Sequence, residues 1–219
     1  FDVGRIADCL KGKVLGEDIV DGESGEVFES VEKSWSHRVL GVGADGRRVC
    51  YAFPEFSRKT VTEGGRGAAV ALLVEQEFDD FGNEIANRNH GVIGVDGDER
   101  IVERVFELRP DDWLMELKAS EDVLDADGRI ASRARHSYNE AGHLVLSEEF
   151  LDTKSRFIPG ARYRYDALGN KVETRDANGH RRTVDWDPEV GAYPIVERIH
   201  LSGDRSLGMT AVSYTHLRA

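Results

Sequence analysis

Cysteine is scarce in this chain: Cys9 and Cys50 are all that its 219 residues contain. Two cysteines cannot make a disulfide framework, and their spacing leaves open whether they pair with each other. The seven histidines are dispersed. None forms a His-x-x-x-His or Glu-x-x-His pair on a credible helix, and no Cys/His cluster exists, so no metal site is expected. Long apolar runs are missing as well. Without about 18 consecutive apolar residues there is no transmembrane helix. The chain opens on Phe1 with no Met and no signal peptide, so any export signal is expected outside this stretch. Positive charge is in deficit. A formal charge of −12 argues against a nucleic-acid partner, because neutralising phosphates needs clustered Lys and Arg. The acidic balance reads as solubility.

What is present points to a folded chain with many turns. Hydrophobic residues make up 40% and charged residues 32%, which suits a globular protein rather than a disordered one. Glycine is frequent, at 23 residues against 5 prolines.

Residues 162–180 show how those glycines are used. Arg162 to Tyr165 alternates long polar and aromatic residues, the period-2 pattern of a half-buried strand. The run 166–169 reads Asp-Ala-Leu-Gly. Asp opens a type I turn, where its carboxylate bonds the backbone just ahead. Gly three positions later supplies the positive φ of a G1 bulge. Alternation resumes over 170–175, and Asp-Ala-Asn-Gly at 176–179 closes the hairpin.

The unit recurs. Phe78, Asp79 and Gly82 repeat it, as do Tyr138, Asn139 and Gly142, with Asn in place of Asp. Asp125 and Gly128 keep the turn with Leu124 in the aromatic slot, and Trp186 and Asp187 with Gly191 form a looser copy. Repeated hairpins become stable by stacking edge to edge around a shared face. Each aromatic is then expected to pack against the next repeat, contributing about 1.5–3 kcal/mol.

Aromatic-Asp-x-x-Gly in series resembles the YD repeat of Rhs proteins and of the Tc insecticidal toxin B-component. The resemblance runs from about Tyr51 to about Ile199. Residues 184–196 are similar to a family segment that ends in Tyr-Pro and Val. Residues 111–117 are similar to a second segment, with Glu116 where Gly is usual. The resemblance implies an all-β fold of tandem hairpins stacked into an extended, curved antiparallel sheet, a segment of a hollow shell. It implies a structural, non-enzymatic role in enclosing a toxic C-terminal polypeptide. The partners would be the rest of the same polypeptide, the enclosed tail and other toxin-complex subunits, at a secreted or bacterial-surface location. Family shells carry a self-cleaving aspartyl site marked Asp-Pro-x-Gly-Leu. The run Asp-Pro-Glu-Val-Gly at 187–191 departs from it, so that activity is not carried over.

Three regions are expected: a leading β segment over 1–50, the repeat region over 51–212, and an extraneous tail over 213–219 that looks like translated sequencing adapter. Within the first, residues 6–15 suit either a short helix or an edge strand. Gly41, Gly43 and Gly46 match the spacing of a dinucleotide-binding loop. The β-prone run 47–53 follows where a helix is required, so a hairpin is expected, ending before Pro54. Residues 64–67 read as a turn, 68–78 as a strand, 110–114 as one helical turn and 153–160 as a polar connection.

No cofactor is expected. Asp125 and Asp127 do not fit a calcium loop, because the required first and last positions fall on Val123 and Ala134. No Gly-x-Ser-x-Gly elbow is present. The alternative to a structural role is carbohydrate binding at the cell surface, with Tyr163, Tyr165, Trp186 and Tyr193 offering aromatic faces beside Arg162 and Arg164.

Overall fold

The structure is a computed structural model that describes residues 9–62, 68–200 and 206–210. Among these residues there are fourteen strands and no α-helix. They are β1 (Gly16–Val20), β2 (Val27–Val42), β3 (Arg48–Thr62), β4 (Ala69–Phe78), β5 (Glu84–Val92), β6 (Arg100–Arg109) and β7 (Leu114–Leu124). There follow β8 (Ile130–Tyr138), β9 (Leu144–Leu151), β10 (Arg156–Tyr165), β11 (Lys171–Asp176), β12 (Arg181–Trp186), β13 (Pro194–His200) and β14 (Ser206–Thr210). Hydrogen bonding follows chain order in one antiparallel sheet, each strand beside its sequence neighbours. This is the expected all-β array of tandem hairpins. The expectations for 64–67 and 213–219 lie outside the described residues.

Contacts divide the chain into two units. One comprises Phe1–Phe106 with Glu121–Ala131, the other Glu107–Ser120 with Ser132–Ala219. In the first, Phe53 and Phe78 lie 5.3 Å apart and Tyr51 stacks on Phe53 at 5.6 Å. Arg104 sits between Glu84 and Glu121, 2.8 Å from the latter. In the second, Phe150 meets Phe157 edge-on at 5.3 Å, and the Arg135 guanidinium covers Phe157 at 4.1 Å.

Several strands run longer than expected. β2 is one strand of 16 residues. β3 continues beyond Pro54 to Thr62. Pro54 is tolerated because the register slips beside it: Trp35 pairs with Pro54 while Ser34 pairs with Phe56, leaving Glu55 as the extra residue. The connection expected over 153–160 is instead a three-residue 3-10 turn (Asp152–Lys154) followed at once by β10. Pro159 pairs with Glu148 and Ala161 with Ser147, so a bulge absorbs Gly160. Residues 9–15 are turn and coil, neither helix nor strand. Pro110–Asp112 is the expected helical turn, of 3-10 type. It ends at Trp113, and the turn at Asp152 ends at Ser155, both in the left-handed region that Gly usually occupies.

Cys9 is joined to Cys50, closing a separation of 41 residues. The bond ties the segment before β1 to β3.

Candidate functional site

Asp and Gly at fixed spacing dictate the turns. In the 166–170 hairpin the Asp166 amide donates to the Asn170 carbonyl, and the Gly169 amide donates to the Asp166 carbonyl. The Asp166 carboxylate accepts from the amides of Leu168 and Asn170, each at 2.9 Å. The register shifts at Tyr165 and Gly169 has φ +86°, as a type I turn with a G1 bulge requires. The same backbone bonds recur at Asp79, Asp125, Asn139 and Asp176. Asp79, Asp125 and Asp176 each bond the amides two and four residues ahead, and Asn139 bonds the amide four ahead. The acids at 125 and 176 are thus turn caps.

Two further turns belong with this set. Residues 43–47 close in the same way, with Gly43 in the Asp position. The Gly-x-Gly-x-x-Gly spacing is therefore part of a hairpin. The Asp187 turn is wider: the Asp187 amide reaches the Tyr193 carbonyl. The first is the hairpin expected there from the sequence, although Gly43 lacks the carboxylate that marks the other turns.

The turns differ in what they touch. A Cβ built on Gly82 would lie 3.1 Å from the Tyr51 ring, and one on Gly169 3.0 Å from the His143 ring. On Gly142 it would lie 2.8 Å from Leu114, and on Gly191 2.4 Å from Leu168. Each of these glycines is a seat for a side chain from the preceding hairpin. Gly128 and Gly179 meet nothing within 4 Å. Antiparallel strands in chain order place alternate turns at opposite ends. In the second unit the turns at 142, 169 and 191 share one end and Gly179 lies at the other.

Side chains also bind hairpin to hairpin. Arg38 bonds the Phe78 carbonyl at 2.9 Å and the Asp80 carboxylate at 2.6 Å. Arg109 bonds the Asn139 carbonyl at 2.6 Å, and the Asn170 amide nitrogen bonds the Gly191 carbonyl at 2.7 Å.

The aromatics before the turns look backward, not forward. Phe78 packs on Tyr51 and Phe53 of β3. The Tyr138 hydroxyl donates to the Lys118 carbonyl of β7, and that of Tyr165 to the Leu144 carbonyl of β9, both at 2.9 Å. Tyr165 also stacks on His143 at 4.7 Å. The partner is the preceding strand, correcting the expected contact with the next repeat. Each aromatic closes its strand, so the neighbour already in place is the one within reach.

Of the four aromatics considered for carbohydrate, Tyr163 and Trp186 border one shallow surface with Lys171 and Pro194. Lys171 covers the Tyr163 ring at 4.4 Å, and the Trp186 ring nitrogen donates to the Lys171 carbonyl at 3.2 Å. Tyr165 is engaged with β9, and Tyr193 is exposed. Among the described residues no group of three His, Cys, Asp or Glu side chains is arranged to hold a metal ion.

The site's electrostatics set limits on pH. Burial pushes the Asp79 carboxyl up, but hydrogen bonds from the Asn83 side chain and the amides of Asn83, Phe81 and Gly82 outweigh it and hold it low. Asp166 is held low in the same way against its own burial, by Asn170 and the amides of Leu168 and Gly169. At Asp176 the His180 side chain is the largest cause of a lowered value. Burial raises Tyr51, Tyr138 and Tyr165. A carboxylate depressed on folding stabilises the fold above its unfolded pKa, near 4, and that stability is lost as pH falls through the lower folded value. A phenol raised on folding stabilises below its unfolded pKa, near 10, and that is lost as pH rises through the higher folded value. Circular dichroism against pH is expected to show a plateau between these limits with an acid and an alkaline limb. A fold that persists unchanged well beyond both would remove these turns and anchors from the account of stability.

The fold defines a class: arrays of antiparallel β-hairpins built on Asp-x-x-Gly turns. No family model and no curated protein matches the chain. Among solved structures it is similar to the Photorhabdus luminescens Tc holotoxin pore. There the identity is 13% and the TM-score 0.46, over 84% of this chain and 10% of that one. It is similar also to TcdB2-TccC3-Cdc42, at 11% identity and TM-score 0.34, over 86% of this chain and 11% of that one. A third likeness, to TcdB2-TccC3, has 11% identity and TM-score 0.35, over 84% of this chain and 11% of that one. The chain spans about a tenth of the length of these solved chains.

Proposed function

We propose that this chain is a length of wall in a larger β-repeat shell that encloses a toxic C-terminal polypeptide, with no catalysis of its own. The observation that carries the reading is the shortage of core. Among the described residues the buried apolar side chains are Ala86 and Leu117, while Val39, Val70, Leu108, Ile130, Leu168 and other large apolar side chains are exposed. A sheet needs a second layer, or closure on itself, to bury its apolar face. Stacked turns that seat each hairpin on the one before let such a sheet continue. The YD-like motifs point the same way. The disulfide suits an oxidising, secreted location. A carbohydrate-binding surface at Tyr163 and Trp186 is the weaker reading, because Lys171 already covers the Tyr163 ring and the Trp186 ring nitrogen is bonded to backbone.

Limited proteolysis of the full-length protein tests the shell. The tail beyond the repeats is expected to resist protease at concentrations that digest the same tail expressed alone. Equal digestion rates would overturn enclosure.

A further inference from the structure

Register gathers positive charge on one face of β10 to β12. Arg162 lies opposite Arg175, Arg175 opposite Arg181, and Arg181 opposite His200. In the adjacent row Arg164 lies opposite Glu173. Like charges directly opposite each other destabilise a sheet, and here two Arg–Arg pairs follow in succession. Among the described residues, one carboxylate answers this group. Glu173 takes Arg175 at 2.7 Å, Arg181 at 2.9 Å and Arg164 at 3.7 Å. Its side chain is 7% exposed, while those of the three arginines are 42% to 74% exposed. Arg162 is exposed and its side chain has no ion pair or hydrogen bond among the described residues. Glu148 feels Arg162 only weakly and is already held by Arg135 at 2.6 Å. Asp185 neutralises Arg198 at 2.5 Å.

Three of these four guanidinium groups therefore share one buried carboxylate and the fourth is unpaired, on a chain whose formal charge is −12. We propose that this face docks an acidic peptide segment in extended conformation, whose carboxylates supply the missing countercharge. Guanidinium is a planar fork that pairs carboxylates in bidentate fashion. Glu173 holds three of the forks in place, so little ordering is lost on binding. Alternate side chains of an extended peptide are about 6.6 Å apart, which is also the separation of Arg162 and Arg164 along β10. A long polyanion such as nucleic acid would be repelled by the acidic remainder of the chain as it approached. The inference is independent of the shell.

Fluorescence anisotropy tests it, using the intact chain and a short labelled peptide alternating Glu and Ser. Saturable binding is expected, weaker as salt is raised. The double variant Arg162→Ser, Arg175→Ser is expected to bind about tenfold more weakly or worse. Lys59→Ser, which disturbs only the Glu29 pair, should bind as the parent does. Arg162→Ser alone removes one of two opposed arginines and breaks no ion pair, so this single variant should bind more weakly yet melt no lower than the parent, which separates lost docking from lost folding. Absence of saturable binding, undiminished binding by the double variant, or tighter binding of a single-stranded oligonucleotide of equal charge would each overturn the proposal.

Discussion

Replacing Gly142 by valine is expected to lower stability by about 4 kcal/mol, from about 1–2 for the left-handed backbone and about 1–3 for crowding. Gly142 has φ +80°, and a Cβ there would lie 2.8 Å and 3.1 Å from the two methyl groups of Leu114. Leu114 starts β7 and cannot retreat without leaving the seat that joins the two hairpins. Gly128→Val separates the two terms. Gly128 has φ +75° but open space around it, so only the backbone cost of about 1–2 kcal/mol applies. Urea denaturation of both variants, followed by tryptophan fluorescence, measures the difference. Equal losses would show that the turn glycines serve their own loops and not the stacking of hairpins. Within one turn the comparison is Gly169→Val with Ala167→Val. Equal melting temperatures there would reject the turn geometry itself.

Cutting the Cys9–Cys50 bond is expected to cost about 4 kcal/mol, from the entropy of an unfolded loop closed across 41 residues. The effect should be local, because both cysteines lie in the unit of Phe1–Phe106 and Glu121–Ala131. Hydrogen exchange of the Cys9→Ser, Cys50→Ser variant is expected to show lost protection in β1 to β3, with β10 to β13 unchanged. Unaltered protection in β1 to β3 would mean that pairing with β4 alone holds that segment.

The turns were legible because their causes are local. Asp or Asn caps the amides ahead, and Gly takes positive φ, so five residues suffice to identify the geometry at 79, 125, 139, 166 and 176. Strand ends at prolines were misread for the opposite reason. Pro54 and Pro159 stop a strand only if the register is regular, and in both places a bulge at the next residue, Glu55 or Gly160, lets the pairing continue. The left-handed turns at Trp113 and Ser155 give no signal, since neither carries the glycine their backbone favours. The candidate aromatics were found, but the direction of their contacts was not. A tyrosine's type fixes that its hydroxyl needs a partner when half-buried, not which strand supplies it.

The sequence by itself determined the fold class: alternation makes strands, and Asp-x-x-Gly joins them into hairpins in chain order. Tertiary structure decided which turn glycines carry a neighbour, that the two cysteines meet, and that Arg162, Arg175 and Arg181 lie abreast. The reason is range. Turn chemistry acts within five residues, whereas register between strands is a property of two segments at once. A shift of one residue would send those arginines to the opposite face.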